Sequence, residues 1–550
     1  MLASFQESQL GGKDVNISGR FTNRVFLCVC VFTILLAGSL RIHRIAQRSL
    51  WLDEAIAANI SRGTLAETVV LTRGLHSAPL THPLILYAVE KAAVGPLGVR
   101  LPSLVASMLA VFLMLCFATI PAIDYKTATL SALMLSVAAA QIRYAQEVRE
   151  YSLSVLYAAL LVYLFLSYIS GNEKRKSPIA LYLALFCAPL IQYGLVLFGF
   201  GILAALLVLV FADRSRRIGI ALVMKSSLFL AAGSMLSYFL TLRYQWGEKA
   251  WYLEGSYFTP GSSVARFVWS NTHHLLAFLL PGVGTALISV VAIMFYVVTS
   301  LRARVVPPLI VLALTSFGTV LACAVLRVYP YDAIRQCLFL APVVCVLASA
   351  SLAQIADRFA GALNGTVFVA IACVVVASGI FQIRSMRPYA EVEDIQSVLE
   401  GLRNHIEPGD GVYVYSGAVP AIDFYVKERD QRFTYGDFHR EAPEEYVREM
   451  LVGLSPGTNR SWIVFSHIYD GEDQKILQGL SGEWEVEPAL VTKGAALYLA
   501  SRRNALVSEP SAKRNMGRGE AVLKAAAPRS DHARDSFWEW NIRNSRRSIQ

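Results

Sequence analysis

Ser49-Leu50-Trp51-Leu52-Asp53-Glu54 follows the first long apolar run, which begins near Val25, and places an acidic pair behind a tryptophan at the edge of a membrane span. Ionised groups are costly at a water–lipid boundary and are seldom kept there without a partner or a task. Outward from this segment, apolar stretches long enough to cross a bilayer recur as far as Ile383. A crossing takes about 20 mostly apolar residues at about 1.5 Å rise each. Such stretches fall near 25–42, 101–121, 127–143, 150–170, 178–192, 195–212, 219–241, 276–300, 307–327, 337–355 and 364–383. They predict a polytopic α-helical membrane protein of about eleven transmembrane helices, which the mean hydropathy of +0.48 supports. The fifth and sixth stretches are short and meet at Gln192-Tyr193-Gly194, a pattern of broken or re-entrant helices. Lipid tolerates such a break only where protein covers the freed backbone groups.

Short loops set the orientation, because Lys and Arg concentrate on the cytoplasmic side. Lys174-Arg175-Lys176, Arg214 with Arg216-Arg217, and Arg302 with Arg304 each follow an even-numbered span, and the segment 1–24 carries Lys13, Arg20 and Arg24. Together they predict a cytoplasmic start and a C-terminal segment outside. The first apolar run lies behind a polar lead and lacks a small-residue cleavage site, unlike a cleavable signal peptide. The loop 41–100 is basic yet assigned outside; its length lowers its weight in the rule, and an outer site for an anionic ligand calls for such charge. The net charge of +10 is dispersed through loops and tail. That distribution fits a surface of membrane lipids and argues against nucleic acid as a partner. The eight cysteines all fall inside apolar runs, which leaves none to bridge an outer domain and none at metal-type spacing.

After Arg384 the chain turns polar. Glu391 to His405 reads as an amphipathic helix, Pro408-Gly409-Asp410 as a turn into the strand Val412-Tyr413-Val414-Tyr415, and Trp462-Ile463-Val464-Phe465 as a second strand. The expected organisation is a transmembrane catalytic domain over 25–384, a small extracytoplasmic α/β domain over 385–501 and a disordered basic tail over 502–550.

On these spans the unusual polar segments gather at one face. Trp51-Leu52-Asp53-Glu54 and His82-Pro83 occupy the first outer loop, and the run from Arg143 through Glu147, Arg149 and Glu150 to Tyr151 forms the second. Gln192-Tyr193 is the third, Arg243-Tyr244-Gln245-Trp246 opens the fourth, and Arg327 to Gln336 is the fifth. Carboxylates, guanidinium groups and tyrosines at one interface make a candidate site for a charged lipid headgroup and a polar reactant. Plainer roles stand beside this one. Asp53 also reads as the N-cap of an interfacial helix from Glu54 to about Thr72, with Trp51 as a belt aromatic. Arg143 and Arg149 also read as snorkelling side chains paired with Glu147 and Glu150, and Tyr193 as a belt residue.

Taken in order, these pieces resemble the GT-C superfamily of membrane glycosyltransferases, in the branch of protein O-mannosyltransferases and bacterial lipid A aminoarabinose transferases. The resemblance covers roughly residues 20 to 385. It rests on Leu50-Trp51-Leu52-Asp53-Glu54, Thr81-His82-Pro83-Leu84 with Tyr87, Arg100-Leu101-Pro102-Ser103, Ala145 to Leu153, and Tyr331-Asp332-Ala333-Ile334-Arg335. It implies a GT-C fold and transfer of a sugar, with inversion, from a polyprenyl-phosphate donor to an acceptor hydroxyl. The site would face the outer side of a bacterial cytoplasmic (inner) membrane, and the acceptor would be a glycolipid such as lipopolysaccharide or lipid A, another envelope glycan, or a protein. Asp53 is then the general base by its place in the motif, with Glu54 and Glu147 as further catalytic candidates. Arg143, Arg149, Arg327 and Arg335 would meet the phosphate, with His82 and Tyr331 as neutral donors and Tyr193 as a further substrate-binding residue. No soluble nucleotide sugar is required, and no metal ligands are assigned, although an Asp/Glu pair holds a hydrated divalent ion as readily as it acts bare. The rival reading is a transporter or flippase for lipid-linked sugars, which predicts charges toward the bilayer midplane and an inverted repeat. The sequence displays neither.

Overall fold

The computed structural model describes residues 15–503 apart from 93–94, 172–176, 213–218, 246–250, 361–363, 427–430, 438, 440–441, 455–458 and 469–470. The first fourteen residues, the basic clusters at 174–176 and 214–217, Trp246 and nearly all of the expected tail lie outside the described residues. Among the described residues, eight helices are long and apolar enough to cross a membrane: Pro96–Thr119, Tyr151–Ser170, Gly194–Ala212, Ile220–Gln245, Gly282–Arg302, Pro308–Val325, Arg335–Arg358 and Gly365–Met386. Two shorter apolar helices, Leu27–Ile42 and Ile179–Ile191, stand beside them. Large apolar side chains such as Phe211, Met224 and Phe381 point outward and are mostly exposed, as a lipid-facing surface requires.

Two segments differ from their expected form for identifiable reasons. The stretch at 127–143 divides at Ala138, whose extended backbone separates Tyr125–Val137 from Ala139–Ala145. Every residue from Thr127 to Val137 is buried, so protein encloses this short helix on all sides. The stretch at 276–300 becomes two helices, Val264–Leu279 and Gly282–Arg302. Pro281 disfavours a helical Leu280 before it, and Gly282 then turns the chain at φ 82°, a region open to glycine. The break at Gln192 follows its expectation: Ile179–Ile191 ends there and Gly194–Ala212 begins two residues on. A side chain at Gly194 would collide with the Tyr329 hydroxyl and the Phe339 ring, which explains the close approach.

The C-terminal segment folds as a five-stranded sheet in the order β2-β1-β3-β5-β4. Its strands are β1 (Gly411–Val414), β2 (Phe433–Tyr435), β3 (Arg460–Ser466), β4 (Trp484–Val491) and β5 (Ala495–Arg502). β1 runs parallel to β2 and β3, whereas β5 is antiparallel to β3 and β4. The amphipathic helix is Ile395–His405, capped by the Asp394 side chain on the Ser397 N–H. One face of the sheet packs on Tyr446, Met450, Ile476 and Leu480. The other shares a single apolar cluster with Leu50, Ala55, Ala58, Leu86, Val99 and Val148 of the membrane portion. The sheet domain is therefore built onto the segment that carries Asp53.

Candidate active site

The helix after the tryptophan runs Leu52–Ile60 with Trp51 at its N-cap, and a second helix, Leu65–Leu75, starts afresh behind a Thr64/Glu67 capping box. Asp53 thus lies inside the first turn, and its carboxylate is not spent on capping. Its Oδ2 lies 2.8 Å from Arg335 Nη2 and 3.9 Å from Arg149 Nη1, with a quarter of the side chain exposed. The Arg335 guanidinium is stacked 5.3 Å from the Trp51 ring and 5.6 Å from Tyr151, and Arg149 lies 5.7 Å from the same Tyr151 ring. Three segments separated by up to 282 residues converge on one carboxylate. Burial pushes the Asp53 carboxyl up, but the charges of Arg149 and Arg335 outweigh it and hold the group below its ordinary value.

Glu54, one residue on, has a different task. Its Oε1 and Oε2 accept from Arg100 Nε at 3.1 Å and Nη2 at 2.9 Å, Oε1 also accepts from the Val148 N–H at 2.9 Å, and both side chains are fully buried. Successive residues point about 100° apart on a helix, so neighbours in sequence serve different faces. The remaining Arg100 donors bind the carbonyls of Ile45, Arg48 and Ser49 at 2.7–3.1 Å. Both oxygens of Glu54, a catalytic candidate by sequence, are thus engaged in a buried ion pair. An Asp53/Glu54 metal pair is unsupported, because the Glu54 oxygens are already occupied.

Glu147 is buried, and its Oε1 accepts from Arg143 Nε at 3.0 Å. Burial raises its pKa against the pull of Arg143, which makes it a weaker acid than Asp53. Three other expected site residues make their contacts with other groups. Arg327, held at φ 57°, pairs with Glu254 and donates to the Phe258 carbonyl at 3.3 Å. Tyr331 is buried in the bundle with its hydroxyl 2.7 Å from Thr272 Oγ1. Tyr193 donates to Thr241 at 2.9 Å and Gln245 at 2.6 Å, and Gln245 in turn holds the carbonyls of Thr72 and Ala78. Thr241 belongs to a π-helical turn, Tyr238–Leu242, so this chain of bonds braces the first loop against an irregular helix end.

His82 is buried with its ring stacked 6.4 Å from His76. Burial first, and the Arg149 charge second, push its pKa down to about 3, so the imidazole is neutral. It borders an apolar groove lined also by Ile85, Pro102, Leu109, Leu153 and Leu156. A second, polar cleft opens between Arg143 and the sheet domain, lined by Arg387, Glu391 and Lys493.

Sequence reasoning did not place the sheet domain at the site. The Ser49 N–H donates to Glu391 at 3.2 Å, the Leu50 N–H to the Tyr425 hydroxyl at 2.8 Å, and the Leu52 N–H to Glu393 at 3.0 Å. Glu393 also meets His467 Nδ1 at 2.6 Å, and that imidazole lies 6.5 Å from the Trp51 ring. The domain thereby fixes the backbone on which Asp53 stands. Tyr425→Phe strands the Leu50 N–H and is expected to lower stability by about 1–3 kcal/mol, read as a lowered Tm in detergent. An unchanged Tm would remove this bond from the account.

A helical membrane bundle with an α/β domain docked against it is a fold with known examples. Solved structures share it. ArnT from Cupriavidus metallidurans in the apo state aligns with a TM-score of 0.53 at 12% identity, over 88% of this chain and 98% of that one. The same protein bound to undecaprenyl phosphate gives 0.52 at 14% identity over the same shares. The archaeal oligosaccharyltransferase AglB from Archaeoglobus fulgidus, in complex with an inhibitory peptide and a dolichol-phosphate, gives 0.52 at 10% identity, over 89% of this chain and 75% of that one. No protein-family model and no curated protein matches the chain by sequence. At these identities the likeness is one of fold.

Proposed function

We propose that the protein is an inverting glycosyltransferase that moves a sugar from a polyprenyl-phosphate donor to an acceptor hydroxyl at the extracytoplasmic face of a bacterial cytoplasmic membrane. The observation that carries this reading is the Asp53 carboxylate held between Arg335 and Arg149. Solved structures of this fold contain undecaprenyl phosphate or dolichol-phosphate, which supports a lipid phosphate as the donor. The groove suits a polyprenyl chain, and the polar cleft at Arg143 and Lys493 suits a hydroxylated acceptor such as a glycolipid, an envelope glycan or a protein.

The chemistry follows from these groups. The acceptor oxygen attacks the anomeric carbon from the face opposite the phosphate, and Asp53 takes the hydroxyl proton as the new bond forms. The old bond from sugar carbon to phosphate oxygen breaks, and its electron pair stays on the lipid phosphate. Arg335 and Arg149 meet that growing charge, with Glu147 balancing Arg143 nearby. Before the donor arrives the guanidiniums depress the basicity of Asp53. A phosphate that draws them away restores that basicity at the moment it is needed. A flippase reading gains less support, since these charges gather at helix ends and not across a midplane path.

The experiment is transfer of labelled sugar from polyprenyl-phosphate donors in proteoliposomes, with mass spectrometry of lipids and glycans to find the acceptor. Labelled lipid that changes leaflet without forming a new glycosidic bond would favour the flippase. The pH profile adds a second check. Asp53 must be ionised, so activity falls as pH drops through its folded pKa, which lies below the ordinary 3.8. Arg335→Met removes the nearest cation, raises that pKa and is expected to shift the acidic limb to higher pH. An unmoved limb would mean that another group sets it.

A further inference from the structure

His76, His82 and Glu150 form a separate cluster directly behind Arg149. Each offers one ligand atom, these atoms all lie within 4.8 Å of one another, and all three residues are buried. His76 closes the helix Leu65–Leu75, His82 lies in the first turn of Thr81–Ala92, and Glu150 precedes Tyr151–Ser170. Two loops distant in the chain therefore supply it. Among the described residues, both ring nitrogens of His82, Nε2 of His76 and Oε2 of Glu150 have no hydrogen-bond partner. A buried polar atom left bare is costly, and buried polar groups are normally satisfied.

The identity of the missing partner follows from the donor set. A phosphate is disfavoured, because the Glu150 carboxylate would repel it. A single divalent cation instead accepts one lone pair from each imidazole and one from the carboxylate. Two nitrogens and one carboxylate oxygen, with a fourth position open, are a zinc-type set; magnesium and calcium favour all-oxygen cages. Bonds of about 2.0–2.2 Å place tetrahedral ligand atoms about 3.4 Å apart. His76 Nε2 and Glu150 Oε2 already approach to 3.9 Å, a separation that small side-chain rotations close. The contact of Arg149 Nη1 with His76 Nδ1, at 3.5 Å, is too long to fix the tautomer against ligation.

We infer that His76, His82 and Glu150 hold a zinc-class divalent cation that ties the first loop to the start of the Tyr151–Ser170 helix and positions Arg149 against Asp53. Arg149 Nε lies 3.6 Å from Glu150 Oε2. A cation taking that oxygen repels the guanidinium and turns it toward Asp53. The role is one of positioning, and it stands apart from the transfer reading, since metal content is measured without any donor.

The test uses the full chain purified in detergent without chelators. Elemental analysis is expected to find about one zinc per chain. His82→Asn and Glu150→Gln, which nearly preserve shape, are expected to weaken zinc affinity at least about tenfold in competition with a chromophoric chelator. The exposed His405→Asn is the unaffected control. A chelator should lower the wild-type Tm, with recovery on zinc addition, and should leave His82→Asn unmoved. Should a variant not fold, the visible spectrum of cobalt added to the metal-stripped wild type still reads a tetrahedral nitrogen and oxygen site. Wild type that carries no stoichiometric metal and takes up neither zinc nor cobalt overturns the inference, as does undiminished affinity in both variants.

Discussion

Asp53→Asn is expected to lower the turnover number for sugar transfer by about 10²–10⁴-fold, the usual worth of a positioned general base, while the protein elutes and melts much as before. The amide keeps the shape of the carboxylate but takes no proton. The side chain is a quarter exposed, and Arg335 retains its stacking on Trp51 and Tyr151, so the loss of charge at this rim costs the fold little. The Michaelis constant for the donor carries the sharper information. In the variant both arginines are free of their carboxylate competitor and meet the phosphate at least as well, so kcat falls while KM for the donor does not rise. Asp53→Ala gives the same split with a larger disturbance of Arg335. A variant that keeps its turnover would exclude proton abstraction by this residue. One that loses only donor affinity would make Asp53 a binding group.

Why Asp53 was legible while its neighbours were not is a matter of which forces act locally. A charged pair behind a tryptophan at a span end is marked by composition alone, and the arginines that meet it were legible because they recur at the ends of other spans. Arg149 and Arg335 do reach Asp53, whereas Arg327 pairs with Glu254 and Tyr331 turns inward to Thr272. No period in the sequence separates these cases; rotation about a short irregular turn decides each. Long apolar helices were visible through the bilayer's demand for length, but the breaks at Ala138 and Pro281 depend on what surrounds the chain. The contribution of the sheet domain was invisible for another reason. Glu391, Glu393 and Tyr425 bind the backbone of residues 49, 50 and 52 across more than 340 residues, and backbone donors have no sequence signature.

Glu54 and Arg100 yield the largest expected effect on the fold. Removing one member of a buried, fully hydrogen-bonded ion pair strands the other charge, and typically costs about 3–5 kcal/mol. Here the stranded Arg100 would keep three backbone carbonyls but no counter-charge, at a place with no exposure to water. Glu54→Ala is therefore expected to lower the Tm steeply and reduce the yield of monodisperse protein. Glu54→Gln retains an acceptor for the Val148 N–H and falls between the two. The decisive comparison is the pair. Arg100→Met with Glu54→Leu removes both charges, and the double variant should recover much of the stability that Glu54→Ala loses, because no ion is left uncompensated. Its three freed carbonyls and the Val148 N–H keep it below wild type. If the double variant proves less stable than Glu54→Ala, the arginine's bonds to the loop carbonyls outweigh its charge. The Ile45–Ser49 loop would then be held by those carbonyl bonds, with Glu54 serving only to balance the guanidinium.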